Sequence, residues 1–219
     1  MWEFIDKVVY INLDSRYDRR VHMEKTTSCF GDKVSRFSAI PEYYGWLGCS
    51  KSHIGVLKLA IENNWKNVLI LEDDAEWNML DEGYETLKHF ASNPYDVIML
   101  GGSFLEYDET YKLKKGSTTS AYLVNNHYFQ TLLNNYEEGL GFFVNNVWNK
   151  EIYSLDRWWN KLQERDNWYI ISPCLVYQTP SYSDIEYQNA DSRCLFEMTK
   201  PEPPPSTKSR LTFQNVFRK

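Results

Sequence analysis

The segment from Asn67 to Asp74, with the sequence NVLILEDD, limits what this chain can fold into more than any other stretch. Its four consecutive apolar residues follow a polar turn, a pattern that indicates a buried strand running directly into three carboxylates. Side chains alternate along a strand, so we expect Glu72 and Asp74 on one face and Asp73 on the other. Neighbouring carboxylates repel each other, and a hard cation such as Mg²⁺ or Mn²⁺ relieves that repulsion. The pattern favours a metal site here; the alternative is that Asp73 or Asp74 caps a following helix.

Length and composition narrow the class of protein. A chain of 219 residues, 42% of them hydrophobic, suits one domain with one core. The formal net charge of −6, from 24 basic and 30 acidic residues, argues against a general nucleic-acid binder, which needs surplus Lys and Arg. No apolar run approaches the length of a membrane span, and the N-terminal segment lacks the pattern of a secretory signal. The four cysteines, Cys29, Cys49, Cys174 and Cys194, have no metal-knuckle spacing. Reduced thiols in a soluble, cytoplasmic protein are therefore expected.

A second apolar segment, Val8 to Leu13, is followed by a charged loop and predicts a strand, a loop and then a helix. In an open α/β sheet, ligands bind beyond the carboxyl ends of the strands, where this loop would lie. Arg16 and Arg19 are candidates to contact a diphosphate, and the backbone of Asn12 and Leu13 is a candidate to meet a base edge. The alternative is a solvated loop with locally paired arginines.

Apolar residues at positions 54, 57, 60 and 61 have helical spacing and place Gly48 to Ser52 at the N-terminus of a helix. Backbone amides at such an end favour anions, so Gly48 and Ser52 are candidate contacts for the ligand. His53 follows directly. A single histidine in a first helical turn is more often a capping or packing residue than a catalytic one.

The remaining apolar segments alternate between strand and helix patterns. Strands are predicted at Val34 to Ile40, Asp96 to Gly102 and Thr118 to Val124, and helices at Leu80 to Ala91 and Asn126 to Tyr136. As far as Gly102, this alternation implies parallel strand pairing in an α/β fold. The polar segment from Glu106 to Lys115 is expected to form a loop or an edge hairpin before the strand at Thr118 to Val124.

A short helix is predicted to begin at Ser154 or Asp156 and to carry Trp158 and Trp159. A carboxylate at such a start can act as a general base if a substrate hydroxyl reaches it. The two tryptophans either pack in the core or stack against an acceptor sugar.

Near the C-terminus, a strand pattern within Trp168 to Gln178 precedes a polar loop that contains Asp184. Residues 200 to 219 are rich in proline and end in basic residues, which predicts a surface arm or tail. The domain is therefore expected to comprise residues 1 to 199.

Several of these segments occur in an order known from one family. They are Ile11 to Arg20, Gly48 to His53, Leu71 to Asp74, Thr119 to Val124, Leu155-Asp156 and Ser183 to Ile185. In order and spacing they resemble glycosyltransferase family 25, which includes lipooligosaccharide galactosyltransferases and collagen hydroxylysine galactosyltransferases. The resemblance runs from about residue 7 to about residue 186.

The resemblance implies a GT-A fold, with a Rossmann-like mixed sheet and helices on both faces. It also implies a UDP-sugar donor, usually UDP-galactose, and a divalent metal, usually Mn²⁺ with Mg²⁺ as the alternative. By analogy with the Asp-any-Asp motif of that fold, Asp74 would bind the metal that bridges the diphosphate, and Glu72 would lie near the ribose or the metal. Asp73 would lie beside them on the nucleotide-sugar side, where its role would be mainly structural.

Family 25 enzymes invert the anomeric centre, which requires a base to deprotonate the attacking hydroxyl. Asp156 is the first candidate for this base and Asp184 the second. Many GT-A enzymes complete the metal shell with a late histidine, yet no histidine follows His127 here. Gln178 or Asp184 is the expected substitute, unless water and the diphosphate fill the shell.

The expected activity is transfer of a hexose, in the first place galactose, from a UDP-sugar to a hydroxyl group. Hydroxylysine of a collagen-like protein is the favoured acceptor, and a lipooligosaccharide-type glycan is the alternative. A catalytically silent nucleotide-sugar or glycan binding protein and a metal-dependent hydrolase of nucleotide sugars are the other functions to be tested. The expected partners are the donor and a protein or glycan acceptor, without nucleic acid or a membrane span, and a homo-oligomer is left open.

Overall fold

The computed structural model describes residues 2–78, 81–183, 185 and 188–191. The candidate base Asp184 and the predicted tail at 200–219 lie outside the described residues. In the part of the chain that is described, no helix is both long and apolar enough to cross a membrane.

The strands of the described chain are, in sequence order, β1 (Lys7–Asn12), β2 (Val34–Ser38), β3 (Asn67–Glu72), β4 (Ala75–Trp77), β5 (Val97–Tyr107), β6 (Leu113–Asn125), β7 (Trp168–Ile170), β8 (Val176–Gln178), β9 (Ser181–Ser183) and β10 (Gln188–Ala190). Six of them form a central mixed sheet in the order β2-β1-β3-β6-β5-β7, while β4 pairs with β8 and β9 with β10. The predicted α/β fold with a mixed sheet is confirmed.

Strand β6 is antiparallel to both of its neighbours, β3 and β5, whereas the other five strands of the sheet run parallel to one another. The alternation of strands and helices as far as Gly102 predicts parallel pairing, and β1, β2, β3 and β5 confirm it. Strand β6 begins in the polar segment that is expected to form a loop or an edge hairpin. Strands β5 and β6 are joined by a short turn, and so short a connection permits a hairpin but not the crossover that a parallel pair needs.

The helices are α1 (Tyr17–Thr26), α2 (Gly45–Glu62), α3 (Asp81–Ala91), α4 (Phe129–Phe143), α5 (Lys150–Tyr153), α6 (Leu155–Trp158) and α7 (Asn160–Arg165). Helix α2 begins at Gly45, so the prediction that Gly48 to Ser52 forms its N-terminus is wrong. Those residues lie in its first two turns instead.

Both faces of the central sheet are apolar, which explains the unbroken hydrophobic run of β3. Val68 and Ile70 pack on one face with residues of α2, α4 and α7. Leu69 and Leu71 pack on the other face with residues of α1 and α3. The domain therefore has two apolar layers divided by the sheet, rather than the one core that composition suggests.

The order of β2, β1 and β3 places the acidic segment at a switch in topology. The chain passes from β1 through α1 to β2 on one side, and from β2 through α2 to β3 on the other side of β1. The carboxyl ends of β1 and β3 therefore open into a crevice, which is where open α/β sheets bind ligands.

Candidate active site

The acidic segment lies where β1 and β3 end side by side. Ile11 is opposite Glu72 in the parallel pairing, and beyond this pair Asn12 Nδ2 donates a hydrogen bond to Asp73 Oδ2 at 2.8 Å. Strand β3 ends at Glu72, and Asp73 and Asp74 form a turn into β4. The strand alternation predicted for the three acids therefore does not extend past Glu72.

Arg19 brings Asp73 and Asp74 together. Its Nη1 lies 2.6 Å from Asp73 Oδ1 and 3.2 Å from Asp74 Oδ2, and its Nη2 donates to Ser181 Oγ at 2.6 Å. Asp74 Oδ1 is buried and has no hydrogen-bond partner among the described residues. Burial and then the charge of Glu72 raise the pKa of Asp74 to about 7, against the opposing charge of Arg19. A buried carboxylate oxygen that lacks a donor and faces a second carboxylate suits a hard cation.

Glu72 is held through both of its oxygens. Thr119 Oγ1 donates to Oε1 at 2.5 Å, Gln178 Nε2 donates to Oε2 at 3.1 Å, and His53 Nε2 lies 3.7 Å from Oε1. Burial raises the pKa of Glu72, but His53 and Thr119 together lower it by more than burial raises it. The pKa of Glu72 therefore lies below the ordinary value. Glu72 is therefore the ionised member of the pair, and Asp74 is the member that takes up a proton.

Gln178 reaches this site because of the small β4–β8 sheet. Ala75 of β4 is opposite Gln178 of β8 in the antiparallel pairing, directly after the acidic turn. The structure thus brings the predicted late substitute for a histidine to the acidic residues. Whether Gln178 binds a metal stays a prediction.

Asp156 is the second residue of α6, and both of its carboxylate oxygens accept hydrogen bonds. Ser154 Oγ donates to Oδ1 at 2.8 Å, and the backbone N–H of Thr118 donates to Oδ2 at 3.0 Å. Thr118 has a φ of 76°, which is a strained conformation for a β-branched residue.

An irregularity in β6 produces this arrangement. Gly101 is opposite Ala121 and Ser103 is opposite Ser117. Between these two pairs β6 advances by four residues and β5 by two, so β6 contains a β-bulge. Thr118 and Thr119, which hold Asp156 and Glu72, lie in the extra length. Sequence reasoning treats these threonines as ordinary strand residues, because β-branched residues are common in strands and nothing local marks the bulge.

Two adjoining cavities meet at the acidic turn. The first has a volume of about 370 Å³ and lies beyond the ends of β1 and β2, where Leu13, Gly48 and Ser52 form part of its wall. The second has a volume of about 280 Å³ and is lined by Asp156. The residues common to both walls are Arg19, Cys49, Glu72, Asp74, Gln178, Ser183 and Ile185. Ser183 and Ile185 flank the candidate Asp184.

Asn12 and Arg16 use their polar groups within the protein. Asn12 is 1% exposed; its Nδ2 also donates to the carbonyl of Arg16, and its Oδ1 accepts from Arg36 Nε at 2.9 Å. Arg16 forms a two-pronged ion pair with Asp18 and donates from Nη1 to the carbonyl of Tyr182 at 3.1 Å. These contacts order the loop around the crevice. Direct contact of Asn12, Arg16 or Arg19 with a nucleotide stays a prediction.

Gly48 and Ser52 join α2 to the loop that precedes it. Ser52 is fully buried, donates to the carbonyl of Gly48 at 2.7 Å and accepts from the N–H of Ile40 at 2.9 Å. A Cβ at position 48 would lie 2.4 Å from the carbonyl oxygen of Ile40, so only glycine permits this approach. The two residues shape the wall of the first cavity, and their contact with a nucleotide sugar stays a prediction.

The prediction that Trp159 contacts an acceptor is wrong. Its side chain is fully buried against Tyr122 and Trp168, and its Nε1 donates to the carbonyl of Gly116 at 3.0 Å. Trp158 is half-buried and lines neither cavity, and Lys161 Nζ lies 4.4 Å from the centre of its ring. Neither indole is placed to stack on a substrate in the cleft.

A different tryptophan, Trp46, lines the cavity that contains Asp156. It stacks on Tyr44 with ring centres 5.5 Å apart, and its buried Nε1 has no hydrogen-bond partner among the described residues. A sequence signal that could have found it is the aromatic cluster of Tyr43, Tyr44 and Trp46, which spans the start of α2.

Cys49 lies between the two cavities and forms no disulfide. Burial and then the charges of Glu72 and Asp156 raise the pKa of its thiol well above the ordinary value. Cys49 is therefore neutral at physiological pH unless a cation binds beside it.

Comparisons with known proteins match the chain only at the level of structure. No family model matches it, and no curated protein matches it. It is similar to a glycosyltransferase involved in the glycosylation of the major capsid of PBCV-1, with 12% identity, a TM-score of 0.48, and coverage of 76% of this chain and 81% of that one. It is also similar to a protein from STIV, with 9% identity, a TM-score of 0.48, and coverage of 84% and 95%.

A third similar structure is the glycosyltransferase GlyE of Streptococcus pneumoniae TIGR4. Identity is 12%, the TM-score is 0.43, and the match covers 77% of this chain and 45% of that one. These similarities concern the arrangement of the chain alone. The resemblance to family 25 stays a prediction.

Proposed function

We propose that this protein is a metal-dependent glycosyltransferase that moves a hexose, in the first place galactose, from a UDP-sugar to an acceptor hydroxyl with inversion. The observation that carries the proposal is that two cavities meet at Glu72 and Asp74, while the carboxylate of Asp156 lies on the wall of only one of them. A transferase needs two substrates whose reacting atoms meet at one place. Two cavities that meet at Glu72 and Asp74 would hold one substrate each and bring their reacting atoms together.

The first cavity is the proposed donor side. It lies beyond the carboxyl ends of β1, β2 and β3 and so includes the topological switch between β1 and β3, where open α/β sheets bind nucleotides. Asp74 and Glu72, with Gln178 as the third candidate, would hold Mn²⁺ or Mg²⁺, which when bound supplies positive charge to stabilise the departing diphosphate. Arg19 competes with the cation for Asp74, and its second partner Asp73 lets it remain paired if Asp74 turns to the metal.

Asp156 is the proposed general base. The Ser154 hydroxyl and the Thr118 amide hold its two oxygens, which orients the carboxylate in the wall of the second cavity. There it would take the proton of the acceptor hydroxyl as that oxygen bonds to the anomeric carbon and the bond from this carbon to UDP breaks. Asp184 remains the second candidate for this role.

The acceptor side is proposed to use Trp46 rather than Trp158 or Trp159. The aromatic surface continues from Trp46 through Tyr44 to Trp148, which is 80% exposed. An indole face binds a sugar ring or an aliphatic side chain. Both proposed acceptors fit such a surface: hydroxylysine of a collagen-like protein in the first place, and a lipooligosaccharide-type glycan as the alternative.

The experiment measures UDP release in Mn²⁺ with a panel of UDP-sugars, each with a collagen-like hydroxylysine peptide or an oligosaccharide, followed by mass spectrometry of the acceptor. We expect transfer from one donor, and we expect Asp156→Asn to lower kcat by about 10²- to 10⁴-fold while the thermal shift caused by UDP and Mn²⁺ is retained. Asp32→Asn, an exposed aspartate, is the matched control and should behave as the unaltered protein.

Other outcomes identify the alternative functions. UDP and free sugar in equal yield, with or without an acceptor, would indicate a hydrolase. A thermal shift with UDP and Mn²⁺ but no turnover with any donor would indicate a binding protein. If no donor gives UDP release, and UDP with Mn²⁺ causes no thermal shift, the assignment is overturned altogether.

A further inference from the structure

We propose that Cys49, His53 and Glu72 form a second cation site, which takes Zn²⁺ or a similar transition metal rather than the hard cation assigned to Asp74. A thiolate, an imidazole and a carboxylate are the three kinds of donor that protein zinc sites use. This inference concerns binding alone and does not depend on the proposed transferase activity.

The fold brings the three side chains together from two elements. Cys49 and His53 are one turn apart on α2 and therefore share a face of that helix, and Glu72 ends β3 opposite them. One donor atom from each of the three residues lies within 4.8 Å of the other two. His53 Nε2 and Glu72 Oε1 are 3.7 Å apart, close to the separation of about 3.3 to 3.7 Å between two ligands of a tetrahedral zinc ion.

His53 supplies an independent observation that points to a ligand. The residue is fully buried, and its Nδ1 lies 2.7 Å from Tyr122 Oη, which fixes the plane of the ring. Its Nε2 is also buried and has no hydrogen-bond partner among the described residues. A buried polar atom without a partner costs free energy, and a metal on Nε2 removes that cost. The contact with Tyr122 has the form of the outer hydrogen bond that orients metal-binding histidines.

The two oxygens of Glu72 face different neighbours. Oε1 is beside His53 Nε2 and Thr119, whereas Oε2 accepts from Gln178. Glu72 can therefore contribute Oε1 to the site on α2 while Oε2 remains on the side of Gln178. Cys49 lines both cavities, so a cation bound here is accessible to solvent and keeps one position open for water.

Co²⁺ is a suitable probe, because it takes the geometry of Zn²⁺ and its bond to a thiolate absorbs in the near ultraviolet. We expect one equivalent of Co²⁺ to give this absorption when added to the metal-free full-length protein, and one equivalent of Zn²⁺ to abolish it. Cys49→Ser should remove the thiolate band, and His53→Gln should weaken Co²⁺ binding by at least about tenfold. Cys29→Ser, at an exposed cysteine, is the matched control and should retain the band.

Asp74→Asn separates this site from the proposed hard-cation site. The variant should retain the Co²⁺ band and lose Mn²⁺ binding, and both results can be obtained even if no transferase activity is found. Glu72→Gln should weaken the binding of both ions. Circular dichroism in the presence of a chelator tests whether each variant is folded.

Anomalous diffraction from a crystal soaked in Zn²⁺ provides a test that needs no variant. We expect a peak within bonding distance of Cys49 Sγ, His53 Nε2 and Glu72 Oε1. The inference is overturned if the peak lies elsewhere, if the unaltered protein gives no thiolate band, or if the band survives in Cys49→Ser.

Discussion

The backbone N–H of Thr118 donates to Asp156 Oδ2 at 3.0 Å from a residue whose φ is 76°. The next residue, Thr119, donates its hydroxyl to Glu72. One irregular stretch of β6 therefore orients both the proposed base and one of the proposed metal ligands. The strain at Thr118 is the structural cost of aiming two consecutive residues at two different carboxylates.

This strain predicts an unusual order of stability at position 118. Thr118→Gly and Thr118→Ala both remove the hydroxyl that accepts from the N–H of Ser103 at 3.2 Å, but only glycine adopts a positive φ without steric cost. We expect the glycine variant to be more stable than the alanine variant by about 1 kcal/mol in urea unfolding.

Ser120, two residues along β6 and outside the residues with positive φ, is the matched control. There the order should reverse, because glycine weakens an ordinary strand. Equal or greater stability of Thr118→Ala relative to Thr118→Gly would contradict the backbone conformation.

The pKa of Asp74 predicts that stability depends on pH in the metal-free protein. Its folded-state pKa of about 7 lies above the unfolded value of about 3.9, so the stability that this carboxyl contributes is present at low pH and is lost as the pH rises through 7. Asp74→Asn does not ionise. We expect its unfolding free energy to gain up to about 3 kcal/mol relative to the unaltered protein between pH 5 and pH 8.

The measurement is chemical denaturation in the presence of a chelator at the two pH values. Asp18→Asn is the control, because hydrogen bonds from Arg16 lower the pKa of Asp18 to about 2 and it is ionised throughout this range. An unchanged difference between Asp74→Asn and the unaltered protein would contradict the raised pKa.

The same carboxyl predicts that metal binding depends on pH. A cation on Asp74 requires the carboxylate form, so binding displaces a proton below pH 7. Mn²⁺ should bind about tenfold more tightly at pH 8 than at pH 6 in isothermal titration, and protons should be released at pH 6. Equal affinity at both pH values would place the cation elsewhere.

Trp159 and Trp148 are predicted to differ sharply in their effect on stability. Trp159 is fully buried in the core, so Trp159→Ala should destabilise the protein by about 3–5 kcal/mol. Trp148 is 80% exposed, and Trp148→Ala should change stability by less than about 0.5 kcal/mol. Urea unfolding of both variants measures this. A small effect of Trp159→Ala would contradict its burial in the core and would support a contact with the acceptor.

Strand positions were readable from the sequence where burial is continuous. The buried part of β3 was predicted, because a strand covered on both faces is apolar at every position, but the strand ends at Glu72 instead of continuing through Asp74. The acids at its end were likewise visible, since three consecutive carboxylates directly after a buried strand repel one another. The start of α2 was misplaced by three residues, because the aromatic loop before it continues into the helix without a capping signal.

Long-range pairing was not readable in this way. Asp73 and Asp74 meet Arg19 across more than fifty positions of sequence, and Trp159 is buried because β6 and β7 lie beside it. Local periodicity reports which face of an element is apolar, but it does not report which element covers that face.

The sequence by itself determined the α/β class, the buried β3 strand and the acids that end it, because these follow from local patterns of burial and charge. Only the tertiary structure decided that β6 runs antiparallel between β3 and β5, and that its bulge turns Thr118 and Thr119 toward Asp156 and Glu72. It also decided that His53 leaves a buried nitrogen beside Glu72. These features arise from packing between segments that are distant in sequence. The position of each side chain there depends on neighbours that a local sequence pattern does not identify.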